Sequence, residues 1–136
     1  MLELTRTAYD AVVDAALDGR PEEVCGVLAG EREGSTSRVD AVHPVPNVAD
    51  RPTVRYTLDP EAQFAAFEAA AAAGREVVGF YHSHPTGPPR PSETDVDGAA
   101  WPDHSYVICA LDGHPYLGSW RWRGERFERE AVLVDG

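Results

Sequence analysis

The chain has 136 residues with 23 acidic and 12 basic side chains, so its formal net charge is 12 − 23 = −11. This charge disfavours nucleic acids and anionic membranes as partners, because proteins bind both through cationic surfaces. Apolar residues make up 43% of the chain, which is enough to bury a core. Chains of this length usually form one domain, so we predict a single domain over residues 1–136.

Several features of the composition bear on where the protein works. Residues 1–10 lack the basic and apolar regions of a signal peptide, and no apolar run is long enough to span a bilayer. Two cysteines, Cys25 and Cys109, are too few for a disulfide framework. We therefore expect a cytoplasmic protein with reduced cysteines. All the basic residues are arginine and none is lysine, which indicates either a GC-biased genome or a surface suited to a salt-rich cytoplasm.

The first part of the chain predicts one helix and three strands. Apolar residues at helical spacing favour a helix over 5–17, with Thr5 or Thr7 as its N-cap and Gly19 as its stop. The short apolar run 23–30 predicts a buried strand. Residues 37–45 and 54–58 predict two further strands, separated by a turn region rich in Pro, Asn and Asp.

The second part predicts one long helix and four strands. The sequence Asp59-Pro60-Glu61 is typical of a helix start, and the alanine-rich helix that follows ends at Gly74. Residues 76–82 have almost no polar positions and predict a strand at the centre of a sheet. Strands are also predicted over 106–111, 116–121 and 126–134. Helices between strands, followed by a run of strands, predict an α/β fold with a mixed sheet flanked by helices.

The segment from His82 to Asp95 carries the chemistry. His82 and His84 are two residues apart at the end of a strand, so both imidazoles point to one face. Ser92 follows Pro91 as a good N-cap for a short helix, and Asp95 lies three residues later on the same face. Two imidazoles and one carboxylate form the three-ligand set of a catalytic zinc, with one position left for water.

Such a zinc site also needs a base that takes a proton from the water. Glu22 and Glu23 stand just before the strand that begins at Val24, and one of them could reach the metal. A His-x-His pair alone is weak support for a metal site, and Ser-x-x-Asp alone indicates an ordinary helix cap. The two patterns together, joined by a short rigid spacer, are much more specific.

Taken together, these residues resemble the JAMM (MPN-plus) metalloprotease family. The sequence His82-Ser83-His84-Pro85, six further residues and then Ser92-x-x-Asp95 match its motif, and residues 21–28 resemble the glutamate segment of its prokaryotic members. The resemblance implies one zinc per chain, held by His82, His84 and Asp95. It also implies Glu23 as general acid/base, Ser92 as the group that stabilises the oxyanion, and a fold similar to that of cytidine deaminases.

The resemblance also implies a substrate class. Family members hydrolyse peptide or isopeptide bonds after the C-terminal Gly-Gly of ubiquitin-like proteins. The composition and the stretch 79–102 resemble the haloarchaeal members that remove small archaeal ubiquitin-like modifiers, the desampylases. Bacterial relatives instead trim a sulfur-carrier protein, and metal-free relatives act as scaffolds. Both alternatives stay open here, as do the oligomeric state and the preference for isopeptide or linear bonds.

Other chemically versatile residues are predicted to be structural. Cys25 shares a strand face with Glu23, but a free cysteine is most often a small buried side chain. No role is assigned to the three remaining histidines, His43, His104 and His114. The three tryptophans, Trp101, Trp120 and Trp122, are predicted to pack in the core or at its rim. Trp120 and Trp122 share a face, which leaves a partner-binding surface as an alternative.

Overall fold

The structure, a computed structural model, describes residues 1–113 and 115–135. Along these residues the chain forms eight strands and three helices. In chain order, the elements are β1 (Leu2–Thr5), α1 (Arg6–Gly19), β2 (Cys25–Glu33), β3 (Thr36–Val45), α2 (Pro60–Ala72), β4 (Glu76–His84), α3 (Glu93–Gly98), β5 (Ser105–Ala110), β6 (Tyr116–Trp122), β7 (Phe127–Glu130) and β8 (Val132–Asp135).

These strands form one mixed sheet in the order β7-β6-β5-β4-β2-β3-β1-β8. β4 lies near the centre, antiparallel to β2 and parallel to β5. Because two parallel neighbours must be joined by a crossover connection, the chain between β4 and β5 leaves the sheet and returns through α3. The segment that carries the chemistry is therefore the connection that leaves a central strand.

Helices α1 and α2 cover opposite faces of the sheet. The buried side of α1 packs in one core with Leu28 and Tyr81. Ala66 of α2 packs in a second core with Phe80. Because successive side chains of a strand point to opposite faces, His82 lies on the α2 side of β4, as Phe80 does.

The sheet curls until its two edges meet. β7 and β8 lie at opposite ends of the strand order, although only Ala131 separates them in the chain. The backbone N–H of Leu2 donates to the carbonyl of Ala131 at 2.9 Å. At this junction Arg121 donates to Glu130 at 2.9 Å, and the two side chains are 7% and 8% exposed. A buried ion pair therefore lies where the edges join.

The strand predicted over 54–58 is wrong. This stretch forms a turn and irregular backbone, and its ladder contact is an isolated bridge between Asn47 and Leu58. The side-chain amide of Asn47 donates to the carbonyl of Arg55 at 3.0 Å and accepts from the N–H of Thr57 at 3.0 Å. A side chain therefore satisfies the backbone groups that a partner strand would otherwise bond.

The strand predicted over 126–134 is two strands with different partners. β7 pairs antiparallel with β6, whereas β8 pairs parallel with β1. The apolar pattern continues through this region and does not reveal that the chain changes edges at Ala131. β1 itself was not predicted, because a four-residue strand that runs straight into α1 has too few residues for a clear alternation.

The other predicted elements are confirmed with shifted ends. Thr5 caps α1 by accepting from the N–H of Ala8 at 3.1 Å, and Asp59 caps α2 by accepting from the N–H of Ala62 at 3.0 Å. β2 continues to Glu33 and β4 to His84. The predicted mixed sheet with flanking helices is confirmed. Among the described residues, no helix has the length and apolar character needed to cross a membrane.

Candidate metal centre

Two buried imidazoles lie at the end of β4. His82 and His84 are 2% and 5% exposed, and their Nε2 atoms are 3.1 Å apart. They share a face of the sheet because they are two residues apart on a strand. β4 ends at His84, directly before Pro85, which has no backbone N–H to continue a ladder. The structure thus brings the two predicted histidines together.

The start of α3 brings Asp95 to the histidines. Ser92 caps this helix: its Oγ accepts from the N–H of Asp95 at 3.1 Å, and the backbone N–H of Ser92 donates to Asp95 Oδ2 at 2.9 Å. This reciprocal capping box fixes the carboxylate. Asp95 Oδ2 lies 3.2 Å from His82 Nε2 and 3.1 Å from His84 Nε2.

The three ligand-type atoms form a nearly equilateral triangle with sides of 3.1, 3.1 and 3.2 Å. A tetrahedral zinc site with bonds of about 2.0 Å to nitrogen and oxygen has ligand-to-ligand edges of about 3.3 Å. The triangle therefore has the size of one face of such a site.

The ring of His84 is oriented by a second contact. Its Nδ1 lies 3.0 Å from the carbonyl oxygen of Pro88, in the loop after β4. A carbonyl can only accept, so Nδ1 carries a hydrogen in this contact, and Nε2 is left as the atom of His84 that would bind a metal. The loop thus orients the ring so that Nε2 faces the triangle.

Glu23 lies beside the triangle. It directly precedes Val24, whose backbone N–H donates to Ser83 Oγ at 2.8 Å and whose carbonyl accepts from the Ser83 N–H at 3.0 Å. Glu23 is 7% exposed, and its Oε1 has no hydrogen-bond partner in the part of the chain that is described. Its carboxylate and the two imidazole nitrogens lie within 4.8 Å of one another, a group that could hold a metal ion.

The two buried carboxylates differ in pKa. Burial raises the pKa of Glu23 to about 7, although the attraction of His84 lowers it and the repulsion of Asp95 adds to the rise. Burial acts in the same direction on Asp95, but hydrogen bonds from His82 and His84 outweigh it and hold that pKa well below its usual range. Asp95 is therefore ionised, whereas Glu23 can gain or lose a proton near neutral pH.

The two imidazoles also differ in pKa. Burial lowers the pKa of His82 and outweighs the hydrogen bond to Asp95. Burial acts to lower the pKa of His84 as well, but the hydrogen bonds to Asp95 and to the Pro88 carbonyl raise it overall. The lowered pKa of His82 favours the neutral imidazole, which is the form that binds a metal.

The other predicted candidates lie around this triangle. Ser92 is exposed, and its hydroxyl oxygen accepts from Asp95. Glu22 is exposed as well. Cys25 is buried, its Sγ donates to the Val45 carbonyl at 3.4 Å, and burial raises the pKa of its thiol to about 12. Cys25 lies outside the group of possible metal ligands found among the described residues, and its burial agrees with the predicted packing role.

The other described histidines and the tryptophans of β6 lie apart from the candidate metal ligands. His43 and His104 lie outside the group of possible metal ligands found among the described residues, and His114 is not one of those residues. Trp120 and Trp122 are 7% and 6% exposed, so these two side chains pack inside and do not form a free partner surface.

Three residues around the triangle, Asn47, Tyr56 and Ser83, were not predicted from the sequence to have a role. The ring of Tyr56 stacks on that of His82, with centroids 4.2 Å apart and planes inclined by 22°. Asn47 donates from Nδ2 to the carbonyl of Glu23 at 2.9 Å. The turn signal at Pro46-Asn47 indicated a loop, but nothing in the sequence indicated which residues that loop would contact.

A cavity of about 330 Å³ opens beside the triangle. Its lining includes Asp95, Thr94 and Tyr56, together with the aromatic side chains of Phe80 and Trp101. A molecule bound next to the triangle would find apolar contacts there.

The sequence of the chain is similar to those of known proteins. The family model described as prokaryotic homologues of the JAB domain matches residues 5–123. A desampylase from Haloferax volcanii is 44% identical over 98% of this chain and 96% of its own length. A CysO-cysteine peptidase from Mycobacterium tuberculosis is 40% identical over 98% of this chain and 91% of its own.

The fold is found in a solved structure as well. The crystal structure of a JAB1/MPN domain protein from Archaeoglobus fulgidus superposes with a TM-score of 0.66 at 18% identity, covering 98% of this chain and 97% of the other. At that identity the likeness concerns the fold alone, whereas the family model matches the sequence itself over most of its length. The chain therefore belongs to the family of prokaryotic homologues of the JAB domain, the JAMM/MPN family that its motif resembles.

Proposed function

We propose that this chain is a JAMM-type zinc metalloprotease that cleaves after the C-terminal Gly-Gly of small ubiquitin-like modifier proteins and releases them from conjugates or linear fusions. The observation that carries this proposal is the buried triangle of His82, His84 and Asp95 with the carboxylate of Glu23 beside it. The similarity to a desampylase over 98% of the chain supports the substrate class.

The donor set fits zinc. Two imidazole nitrogens and one carboxylate oxygen are the ligands that a catalytic zinc takes, and a fourth position is then left for water. We assign His82, His84 and Asp95 as these ligands, because their atoms are only 3.1–3.2 Å apart. Glu23 has no hydrogen bond to either imidazole, and its Oε1 is a buried acceptor that needs a proton donor beside the cluster.

Each residue has a role in peptide hydrolysis. Zinc held by the triangle would lower the pKa of a water molecule and polarise the scissile carbonyl. Glu23, with a pKa of about 7, takes a proton from the attacking water and gives it to the amine as the carbon–nitrogen bond breaks. Ser92 Oγ accepts from the Asp95 N–H, so its own hydrogen is available for the carbonyl oxygen as that oxygen becomes negative.

A second substrate class is favoured by one comparison. The relative named CysO-cysteine peptidase is 40% identical over 98% of this chain, and this similarity supports the processing of a sulfur-carrier protein as the alternative. The same residues would perform the hydrolysis. The third hypothesis, a metal-free scaffold, is disfavoured. The histidines, the aspartate, the serine and the glutamate of the metalloprotease motif are all present, and a scaffold would not need them.

The composition also bears on where the enzyme works. The excess of 23 acidic over 12 basic residues and the similarity to a Haloferax protein support work in a salt-rich cytoplasm. We also propose that residues 1–136 act as one domain.

The proposed function is tested by zinc content and cleavage measured on the same preparation. In molar KCl, we expect about one zinc per chain and cleavage of an isopeptide conjugate whose modifier ends in Gly-Gly. Chelation should abolish cleavage, and added zinc should restore it. His82→Ala should lose both the metal and the activity, because it removes one of three ligands.

Other outcomes would change the conclusion in distinct ways. Zinc binding without cleavage of the conjugate, combined with cleavage of a sulfur carrier that bears a C-terminal amino acid, would establish the alternative substrate. A wild-type chain that binds no zinc would overturn the metalloprotease and return the protein to the scaffold class.

A further inference from the structure

The two histidines of the triangle are oriented by different means. His84 is held through a hydrogen bond from Nδ1 to the Pro88 carbonyl. The polar contacts of His82 within the described residues all involve Nε2, the atom that faces the triangle. The face of the His82 ring is instead covered by Tyr56, at 4.2 Å between centroids and 22° between planes.

The stacking ring of Tyr56 is fixed through its two chain neighbours. Asn47 donates from Nδ2 to the carbonyl of Arg55 and accepts at Oδ1 from the N–H of Thr57, both at 3.0 Å. One side-chain amide therefore binds the backbone on either side of Tyr56. In a stretch that forms no regular strand, these bonds determine where the ring lies.

The same amide also holds Glu23. Asn47 Nδ2 donates to the Glu23 carbonyl at 2.9 Å, and Oδ1 accepts a second hydrogen bond from the N–H of Ala49 at 3.0 Å. An amide has two donor hydrogens and two acceptor lone pairs, so every hydrogen-bonding position of Asn47 is used. A single side chain thus connects the residue beside the triangle to the residue that stacks on it.

We propose that Asn47 and Tyr56 are positioning residues that hold His82 and Glu23 in place for the chemistry, an inference that rests on the proposed function. Tyr56 restrains the rotation of the His82 ring by stacking, the role that a hydrogen bond plays for His84. Asn47 fixes Tyr56 and the Glu23 backbone together, so the metal ligand and the base keep their relative position.

Zinc affinity tests the stacking. Replacement of a group that orients a metal-bound histidine weakens metal binding by about 10–100-fold, and we expect this loss for Tyr56→Leu, measured by competition with a chromogenic chelator. Tyr56→Phe keeps the ring and should bind zinc as wild type does. Val54→Ala, in the same loop at a position 53% exposed, is the matched control and should change nothing.

Asn47→Ala tests whether Asn47 holds Tyr56 and Glu23 in place together. It should weaken zinc binding as Tyr56→Leu does, and the double variant should be no weaker than Asn47→Ala, because both changes release the same ring. In zinc-saturated enzyme, Asn47→Ala should also lower kcat with little change in KM, because the Glu23 carbonyl loses its hydrogen bond from Asn47 and the base is no longer held in position. Tyr56→Leu should spare kcat more under those conditions.

The inference is overturned if Tyr56→Leu binds zinc as tightly as wild type, or if Tyr56→Phe loses as much affinity as Tyr56→Leu. It is also overturned if the affinity losses of Asn47→Ala and Tyr56→Leu add. Should Tyr56→Leu fail to fold, Tyr56→Met replaces it: this variant fills much of the same space without a ring and should lose the affinity, and retained affinity would count against stacking. Failure of the wild-type chain to bind zinc would instead contradict the proposed function, so the two failures are distinguishable.

Discussion

At the scale of single residues, hydrogen bonding gives two buried carboxylates different properties. Asp95 accepts from the Ser92 N–H and lies within 3.2 Å of both imidazoles, and its pKa is held well below its usual range. Glu23 Oε1 has no such partner among the described residues, and burial raises its pKa to about 7. One carboxylate is thus suited to binding a metal and the other to moving a proton.

The proton-moving role predicts the effect of Glu23→Gln. The amide keeps the volume of the side chain but cannot take up a proton, so cleavage should fall by about 10²–10⁴-fold while the zinc content stays unchanged. Glu22→Gln is the matched control, because Glu22 is the exposed neighbour, and it should cleave as wild type does. Steady-state cleavage and metal analysis of both variants check this, and an active Glu23→Gln enzyme would place the base elsewhere.

At the scale of elements, the site depends on how the chain before β2 is fastened to β4. Cys25 of β2 pairs with His82 of β4 in an antiparallel ladder. Beyond the ladder, Ser83 makes two hydrogen bonds to Val24, one through its N–H and one through its Oγ. The residue between the two histidines therefore fixes the position of the chain that carries Glu23.

This contact predicts a loss of stability in Ser83→Ala. Ser83 is fully buried, and the variant leaves the Val24 N–H without its partner, which costs about 1–3 kcal/mol. Urea denaturation of the zinc-free protein should measure the loss. Ser35→Ala, at an exposed position, is the control and should stay within about 0.5 kcal/mol of wild type. Equal stability of Ser83→Ala and wild type would contradict the structural role of this hydroxyl.

At the scale of the whole molecule, the curled sheet is joined through a buried ion pair. Glu130 accepts from Arg121 at 2.9 Å and from the hydroxyls of Ser105 and Ser119 at 2.7 and 2.8 Å. Arg121 also donates to Ser37 of β3 at 3.3 Å. These bonds link β3, β5, β6 and β7, so they connect strands from both halves of the sheet.

Removal of one partner from this pair should be costly. Glu130→Ala leaves the Arg121 guanidinium buried without its carboxylate, which lowers the free energy of unfolding by about 3–5 kcal/mol. Glu128→Ala, on the same strand but half exposed and paired with exposed arginines, should cost no more than about 1 kcal/mol. Chemical denaturation of both variants tests the difference, and equal losses would show that the junction is not held by this pair.

The net charge of −11 predicts a stability that depends on salt. Repulsion among the acidic residues is screened as the Debye length falls from about 10 Å at 0.1 M to about 3 Å at 1 M salt. We therefore expect Tm to rise between low and molar KCl, as measured by thermal unfolding. A Tm that is constant or falls would contradict adaptation to a salt-rich cytoplasm.

Local signals were sufficient to predict the elements with strong caps or patterns and the segment that carries the chemistry. The sequence Asp59-Pro60-Glu61 predicted the start of α2, because capping and the fixed φ of proline are local effects. The motif from His82 to Asp95 could be read because its residues lie within fourteen positions of one another, so the strand end and the helix cap alone bring them to one face.

Features that depend on distant partners became visible only in the folded chain. The stretch 54–58 has strand-like residues, yet Asn47 binds its backbone and no strand forms. The chain changes edges at Ala131 because β8 finds its partner in β1, more than a hundred residues away. The pKa of Glu23 and the stacking of Tyr56 on His82 likewise depend on neighbours that are remote in sequence. Pattern and capping act within a few residues, whereas burial, strand partners and side-chain contacts exist only once the whole sheet has formed.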